Sequence, residues 1–179
     1  MGIDLHPFLV HFPIAFLFTY CIFEIFRFKR LLALPSWFYI KGAILGIGVL
    51  GGMVALQSGE LLEHKFDSTA LKALVEIHAF WGSATISIFS VLVAAYAVRW
   101  FIMAGWDQSI YHLPVIGNIF RLVSPILNVL SKWLIDSPLA ALIAIIGLVA
   151  LLITGTLGGA IVYGPNADPF VYFVYNLFF

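Results

Sequence analysis

Residues 137–167, SPLAALIAIIGLVALLITGTLGGAIVYGPNA, form a stretch without any Asp, Glu, Lys or Arg. A helix needs about 20 predominantly apolar residues to cross the hydrocarbon core of a bilayer. Because a helix satisfies its own backbone hydrogen bonds, a segment that is apolar on every side is stable in lipid. This stretch therefore predicts a transmembrane helix over about residues 138–163.

Three further stretches have the same character. Residues 42–59 and 77–98 carry no charged side chain, and the first apolar stretch has Glu24 as its only acid. The chain is 63% hydrophobic with a mean hydropathy of +1.06, far above that of an ordinary soluble domain. We predict an all-α integral membrane protein with a four-helix transmembrane bundle in a single domain, residues 1–179. The predicted spans are about 7–26, 38–62, 70–100 and 138–163.

Two segments are predicted not to cross the membrane. Residues 107–136 contain IGNIFRLVSPILNVLSKWLI, in which apolar residues recur at helical spacing with polar residues between them. This pattern predicts an amphipathic helix on the membrane interface between the third and fourth spans, broken or kinked at Pro125. The aromatic C-terminal segment FVYFVYNLFF is too short to cross, and it is predicted to anchor at the interface or to dock onto a partner subunit.

Basic residues predict the orientation of the bundle. Lys65 and Lys72 lie on one side of the predicted membrane, and seven basic residues lie on the other. The seven are Arg27, Lys29, Arg30, Lys41, Arg99, Arg121 and Lys132. The positive-inside rule places the seven in the cytoplasm, which predicts a multi-pass protein of the bacterial inner membrane with both termini in the periplasm. The net charge of zero gives no indication of nucleic acid binding.

Four of the five histidines collect at the outer end of the predicted spans. His6 and His11 lie in span one, His64 ends span two, and His78 begins the uncharged part of span three. Ionisable groups in transmembrane segments are costly and therefore suggest function. His11 and His78 have similar predicted depth on helices that lie diagonally in an up-down-up-down bundle. We predict that this pair ligates the iron of a haem b, with His6 as the rival ligand and His64 as an alternative metal ligand.

Other interpretations of these residues remain open. His6 could cap its helix or meet lipid headgroups, and His11 and His78 could bond each other, Glu76 or a backbone carbonyl. The glycines of GAILGIGVLGG and GTLGG could allow close helix packing or leave room for a flat cofactor. No long internal repeat is evident.

Four blocks of sequence resemble a known family in the same order. They are HPFLVHFPIAF, ALQSGE, EIHAFWG and GTLGGAIVYG, and they are similar to a family of small bacterial four-helix predicted membrane proteins, domain of unknown function 2231. The matching motif positions are His6, Pro7, His11, Phe12, Pro13, Glu60, His78, Gly158 and Gly159. Relatives occur fused to, or beside, Rieske or cytochrome modules, so the resemblance implies a setting in electron transfer.

These observations lead to one function hypothesis and two alternatives. The chain is predicted to be a b-type cytochrome-like electron-transfer subunit of a respiratory or photosynthetic complex, with a non-covalent haem near the periplasmic face. Its predicted partners are lipid and other membrane or periplasmic electron-transfer subunits. The alternatives are a cofactor-free structural or assembly subunit, and a metal or quinone site built from His6, His11, Glu60, His64 and His78. No hydrolytic or nucleotide-binding motif is present, so no catalytic residue and no independent enzyme activity are predicted.

Overall fold

A computed structural model of the chain describes residues 5–179, and Met1–Asp4 of the predicted domain lie outside the described residues. Over the described part the protein is helical throughout, which confirms the predicted all-α class. The helices are α1 (His6–Leu9), α2 (His11–Phe26), α3 (Lys29–Leu32), α4 (Ser36–Glu63), a 3₁₀ turn (His64–Phe66), α5 (Lys72–Met103), α6 (Trp106–Tyr111), α7 (Ile116–Asp136), α8 (Pro138–Tyr163) and α9 (Pro169–Tyr175).

Four helical segments are long and apolar enough to cross a membrane, which confirms the predicted number of spans. Span 1 covers His6–Phe26, span 2 Ser36–Phe66, span 3 Lys72–Met103 and span 4 Pro138–Tyr163. Spans 1 and 3 each pack mainly against spans 2 and 4, so they lie diagonally across the bundle, as expected for up-down-up-down topology. We call the end where spans 1 and 3 begin the histidine end, and the opposite end the basic end.

Side-chain N-caps begin the last two helices, α8 and α9. The Ser137 side chain accepts a hydrogen bond from the Leu139 amide at 3.1 Å, and Pro138 occupies the first helical position. Asp168 caps α9 in the same way. This C-terminal helix docks onto the bundle itself, because Val171 and Val174 are buried in a cluster with Leu157 and Ala160 of span 4.

Large side chains fill the spaces that glycines leave in the core. A Cβ on Gly48 would lie 2.7 Å from a methyl group of Leu17, and a Cβ on Gly147 would lie 2.6 Å from the ring of Phe89. Leu17 and Phe89 are fully buried. Small residues let helices approach closely in lipid, where close packing replaces the hydrophobic effect as the driving force. These two glycines therefore serve helix packing.

The packing reveals an internal repeat between the two helical hairpins, spans 1–2 and spans 3–4. Leu17 follows His6 by eleven residues, and Phe89 follows His78 by eleven. On the even spans, Gly48 and Gly147 each precede another glycine by the same eleven residues. Eight pairs of buried positions correspond: Pro13, Leu17, Tyr20 and Glu24 match Thr85, Phe89, Leu92 and Tyr96, and Lys41, Leu45, Gly48 and Gly52 match Ala140, Ala144, Gly147 and Leu151. The two hairpins are thus the same packing unit used twice.

Helix α7 forms where the sequence predicts an amphipathic helix, but it runs without interruption through Pro125. The side of α7 that faces the bundle holds the buried residues Gly117, Ser124, Ser131 and Ile135. Eight of its large apolar residues are exposed: Ile116, Ile119, Leu122, Val123, Ile126, Val129, Leu130 and Trp133. The helix packs on the end of α5 and the start of α8, so its apolar face points away from the bundle.

Candidate functional site

His6 begins span 1, and its imidazole ring reaches span 2. Its Nδ1 lies 3.0 Å from the Ala55 carbonyl oxygen and 2.8 Å from Ser58 Oγ. The Ser58 hydroxyl already donates to the same carbonyl at 2.7 Å, so the serine oxygen and the carbonyl both act as acceptors for His6. Nδ1 therefore carries the proton, which leaves the lone pair of a neutral ring on Nε2.

His78 of span 3 makes the matching contact with span 4. Its Nδ1 lies 3.0 Å from the Thr154 carbonyl oxygen, which can only accept, so Nδ1 again carries the proton. Each ring also lies against a glycine four residues beyond its acceptor. A Cβ on Gly59 would be 3.1 Å from Cε1 of His6, and a Cβ on Gly158 would be 3.1 Å from Cε1 of His78. Larger residues would push either ring away from its carbonyl.

The two rings face each other across the histidine end of the bundle. The centroids of His6 and His78 are 6.5 Å apart, and the ring planes are nearly perpendicular at 89°. With metal–nitrogen bonds of about 2.0–2.1 Å, two imidazoles that bind one metal put their centroids roughly 6 Å apart. The centroid spacing is therefore close to that of two imidazoles bound to one metal ion.

The other predicted ligands lie elsewhere. His11 is exposed and Glu60 is exposed, while the side chain of His64 is 88% exposed and lies 3.4 Å from Asp67. The structure thus places His6, and not His11, opposite His78. Within residues 5–179, no group of three or more His, Cys, Asp or Glu side chains is arranged to hold a metal ion. Among the described residues, the candidate site therefore consists of two imidazoles, those of His6 and His78.

The bundle interior directly beneath the histidine pair is closely packed. Thr85 Oγ1 and Thr154 Oγ1 are 3.2 Å apart, and each hydroxyl lies within hydrogen-bond distance of the carbonyl four residues earlier in its own helix. A Cβ on Gly82 would lie 3.2 Å from a methyl group of Leu56. A group bound by the histidine pair would therefore be reached from the histidine end and not through the core.

Sequence reasoning missed the acceptors that hold the two rings. Ala55 and Thr154 act through backbone carbonyls, which no side-chain pattern identifies. The glycines could have indicated these acceptors, because Gly59 and Gly158 each follow their acceptor by four residues. Of the two, only Gly158 belongs to a block, GTLGG, whose pattern indicates helix packing or room for a cofactor, and Gly59 enters only through the resemblance block ALQSGE. In the structure, both glycines lie against the imidazoles.

A second polar cluster lies toward the basic end. Lys41 Nζ is 2.6 Å from Glu24 Oε2 and 5.9 Å from the centroid of the Tyr96 ring. Glu24 is fully buried and Lys41 is 5% exposed, so Lys41 is not the membrane-flanking residue that the count of basic residues assumed. The second carboxylate oxygen of Glu24 is buried without a hydrogen-bond partner among the described residues, and the hydroxyls of Tyr20 and Tyr96 are buried close to each other in the same cluster.

Comparison with known proteins gives one result for nearly the whole chain. No curated protein and no solved structure matches it. The model of the family described as a predicted membrane protein (DUF2231) matches residues 2–167, which include both histidines of the pair and both of their acceptors. The chain therefore belongs to the DUF2231 family of predicted membrane proteins.

Proposed function

We propose that this protein is a membrane electron-transfer subunit that holds one haem b non-covalently between His6 and His78. The observation that carries the proposal is the pair of imidazoles from diagonal spans, with centroids 6.5 Å apart and each Nδ1 bonded to the neighbouring span. Axial histidine ligation is a common way for proteins to hold haem, and a bound haem supplies one-electron transfer. The ligand assignment differs from the sequence-based one in that His6 replaces His11.

The chain's own groups would prepare the ligands for this role. A metal-binding histidine usually donates its second ring N–H to a carbonyl or carboxylate, which fixes the ring and makes the ligating nitrogen more basic. The carbonyls of Ala55 and Thr154 occupy these positions here. Gly59 and Gly158 allow the rings to approach these carbonyls, so the ligands are oriented before any group binds.

The proposal includes an orientation in the membrane. With Lys41 removed from the count, basic residues still favour the end where Arg27, Arg99 and Arg121 lie. The positive-inside rule then places the histidine end and both termini on the periplasmic side of a bacterial inner membrane. A haem at that end would lie close to periplasmic electron-transfer subunits, as expected for a member of a respiratory or photosynthetic complex.

Optical spectroscopy of the purified protein tests the ligand assignment. Wild type, expressed with haem supply and purified in mild detergent, is expected to show a b-type spectrum that changes on reduction with dithionite. His6→Ala and His78→Ala should each abolish this spectrum. His11→Ala and His112→Ala, two exposed histidines, are the matched controls and should retain it. A folded wild type that acquires no reducible spectrum would overturn the proposal.

The alternative of a cofactor-free structural subunit has a specific observation in its favour. The two histidine–carbonyl bonds tie span 1 to span 2 and span 3 to span 4, which stabilises helix association without any cofactor. Asn can replace the Nδ1 donor of His but has no group at the Nε2 position. His78→Asn should therefore keep most of the stability while losing the haem spectrum. A wild type without haem whose stability survives this substitution would favour the structural alternative.

A further inference from the structure

A groove at the basic end combines an apolar and a polar cavity. The apolar cavity, of about 320 Å³, lies between the end of α5 and the middle of α7, and it is lined by Ala97, Val98, Phe101, Phe120 and Leu127. The polar cavity, of about 160 Å³, is lined by Asp107, Tyr111, Pro125 and Asn128. Ile102 and Ser124 line both cavities, so the two adjoin each other. Such a groove fits a molecule with an apolar tail and a polar head.

Asp107 gives the polar cavity its chemistry. The residue is only 7% exposed, and it forms no ion pair with a described side chain. The hydrogen bond that it accepts is long, with 3.4 Å between its carboxylate oxygen and the side-chain nitrogen of Gln108. A buried carboxylate is costly unless a cation or several donors compensate it. The group that completes this cavity is therefore expected to carry positive charge and N–H donors.

A cation lies beside the same cavity. Arg121 is exposed, donates to the Tyr111 carbonyl oxygen at 2.9 Å and stacks 5.8 Å from the centroid of the Tyr111 ring. Its remaining N–H groups can bind a phosphate, for which the guanidinium fork is suited. The groove thus presents a buried carboxylate in its polar cavity, a cation beside that cavity and an adjoining apolar cavity.

The face around the groove is suited to lipid. Helix α7 exposes its large apolar residues on the side away from the bundle, as a helix in contact with acyl chains does. We propose that this groove binds one membrane phospholipid with a primary-amine headgroup. Its ammonium group donates to Asp107, its phosphate binds Arg121, and one acyl chain occupies the apolar cavity. An anionic headgroup lacks the cation for Asp107, and a choline headgroup lacks the N–H donors.

Native mass spectrometry and thermal unfolding of the full-length, delipidated protein in mild detergent test this site. Dioleoyl phosphatidylethanolamine is compared with dioleoyl phosphatidylcholine and dioleoyl phosphatidylglycerol at equal mole fraction. One phosphatidylethanolamine is expected to bind with at least about tenfold preference, the difference that one charge-assisted hydrogen bond supplies, and to raise Tm most. Equal binding of the three lipids would overturn the proposal.

Two variants and one soluble probe locate the interaction. Asp107→Asn should remove the preference, whereas Glu60→Gln, an exposed carboxylate at the other end, should keep it. Leu127→Trp fills the apolar cavity and should weaken binding of all three lipids. Phosphoethanolamine without acyl chains should not raise Tm. A preference that survives Asp107→Asn, or stabilisation by the soluble headgroup equal to that by the lipid, would contradict the assignment.

Discussion

The two hairpins of the bundle are alike at one end and different at the other. At the histidine end, each offers an imidazole, a carbonyl acceptor on the neighbouring span and a glycine beneath the ring. Toward the basic end, the positions of Glu24 and Lys41 in the first hairpin correspond to Tyr96 and Ala140 in the second. The ammonium of Lys41 lies over the ring of Tyr96, so the residues that differ contact each other across the repeat. The histidine ends of the two hairpins thus form a matched pair. Toward the basic end, Glu24, Lys41 and Tyr96 form a single asymmetric cluster.

The connections also differ, which explains why the repeat is hard to see in the sequence. The first hairpin joins its spans through the short helix α3, whereas the second inserts α6 and α7. The separation between each histidine and its acceptor therefore differs greatly between the hairpins. Because the matched positions hold different residue types, such as Leu17 and Phe89, only the packing reveals their correspondence.

The largest expected effect comes from breaking the asymmetric cluster. Lys41→Met leaves the Glu24 carboxylate buried without its cation, which should destabilise the bundle by about 3–5 kcal/mol. The double variant Glu24→Gln with Lys41→Met should recover much of this loss, because no unpaired charge remains. Unfolding of the detergent-solubilised protein, followed by circular dichroism, measures both. Lys72→Met, which disturbs an exposed pair with Glu76, is the control and should change stability by less than about 1 kcal/mol. A single variant as stable as the double one would argue against the cluster.

An intermediate effect is expected from filling the glycines of the repeat. Gly48→Ala and Gly147→Ala would place a Cβ within 3 Å of Leu17 and Phe89, both fully buried. Overpacking of this kind typically costs about 1–3 kcal/mol. Gly46→Ala, where the added Cβ meets nothing within 4 Å, should cost nothing. Unfolding followed by circular dichroism distinguishes the two packed positions from Gly46. If only one of the two packed positions is sensitive, the hairpins are not equivalent packing units.

The smallest effect concerns the histidine bonds themselves when no metal or haem is bound. An interhelical hydrogen bond in a membrane protein contributes about 0.6 kcal/mol on average and up to about 1.7 kcal/mol. His6→Ala and His78→Ala in haem-free protein should therefore destabilise the bundle by similar, small amounts. The two losses can be measured in parallel against His112→Ala. A much larger loss for one histidine would show that the two halves of the site are not alike.

Hydropathy predicted the spans well because the ability of one helix to cross lipid depends on its own composition. It also placed the histidines at one end, because depth follows from position along a helix. Rotation about the helix axis was harder to infer. His6 precedes the buried Pro13 by seven residues, about two full turns, and therefore lies on the same face. His11 precedes Pro13 by two residues and is exposed, so matched depth alone does not identify the residue that faces His78.

Two other features depended on contacts that no single segment contains. Lys41 resembled a membrane-flanking residue because its partner, Glu24, comes from another helix. The period of α7 identified its apolar face but not the side on which the bundle would lie. Ser124 and Ser131 face the bundle because small side chains permit close approach to α5 and α8. These outcomes depend on tertiary packing and are not determined by local pattern.

The repeat has a consequence for any flat ligand that binds between His6 and His78. With the spans arranged in ring order, exchange of the two hairpins corresponds to a half-turn about an axis along the membrane normal. A ligand rotated by this half-turn meets the same two imidazoles, so its two orientations differ little in energy. Ser58, which shares the N–H of His6, corresponds to Leu157 in the second hairpin. Isomeric preference at this site would therefore depend on the few positions where the hairpins differ, which include this hydroxyl and the Thr85–Thr154 pair.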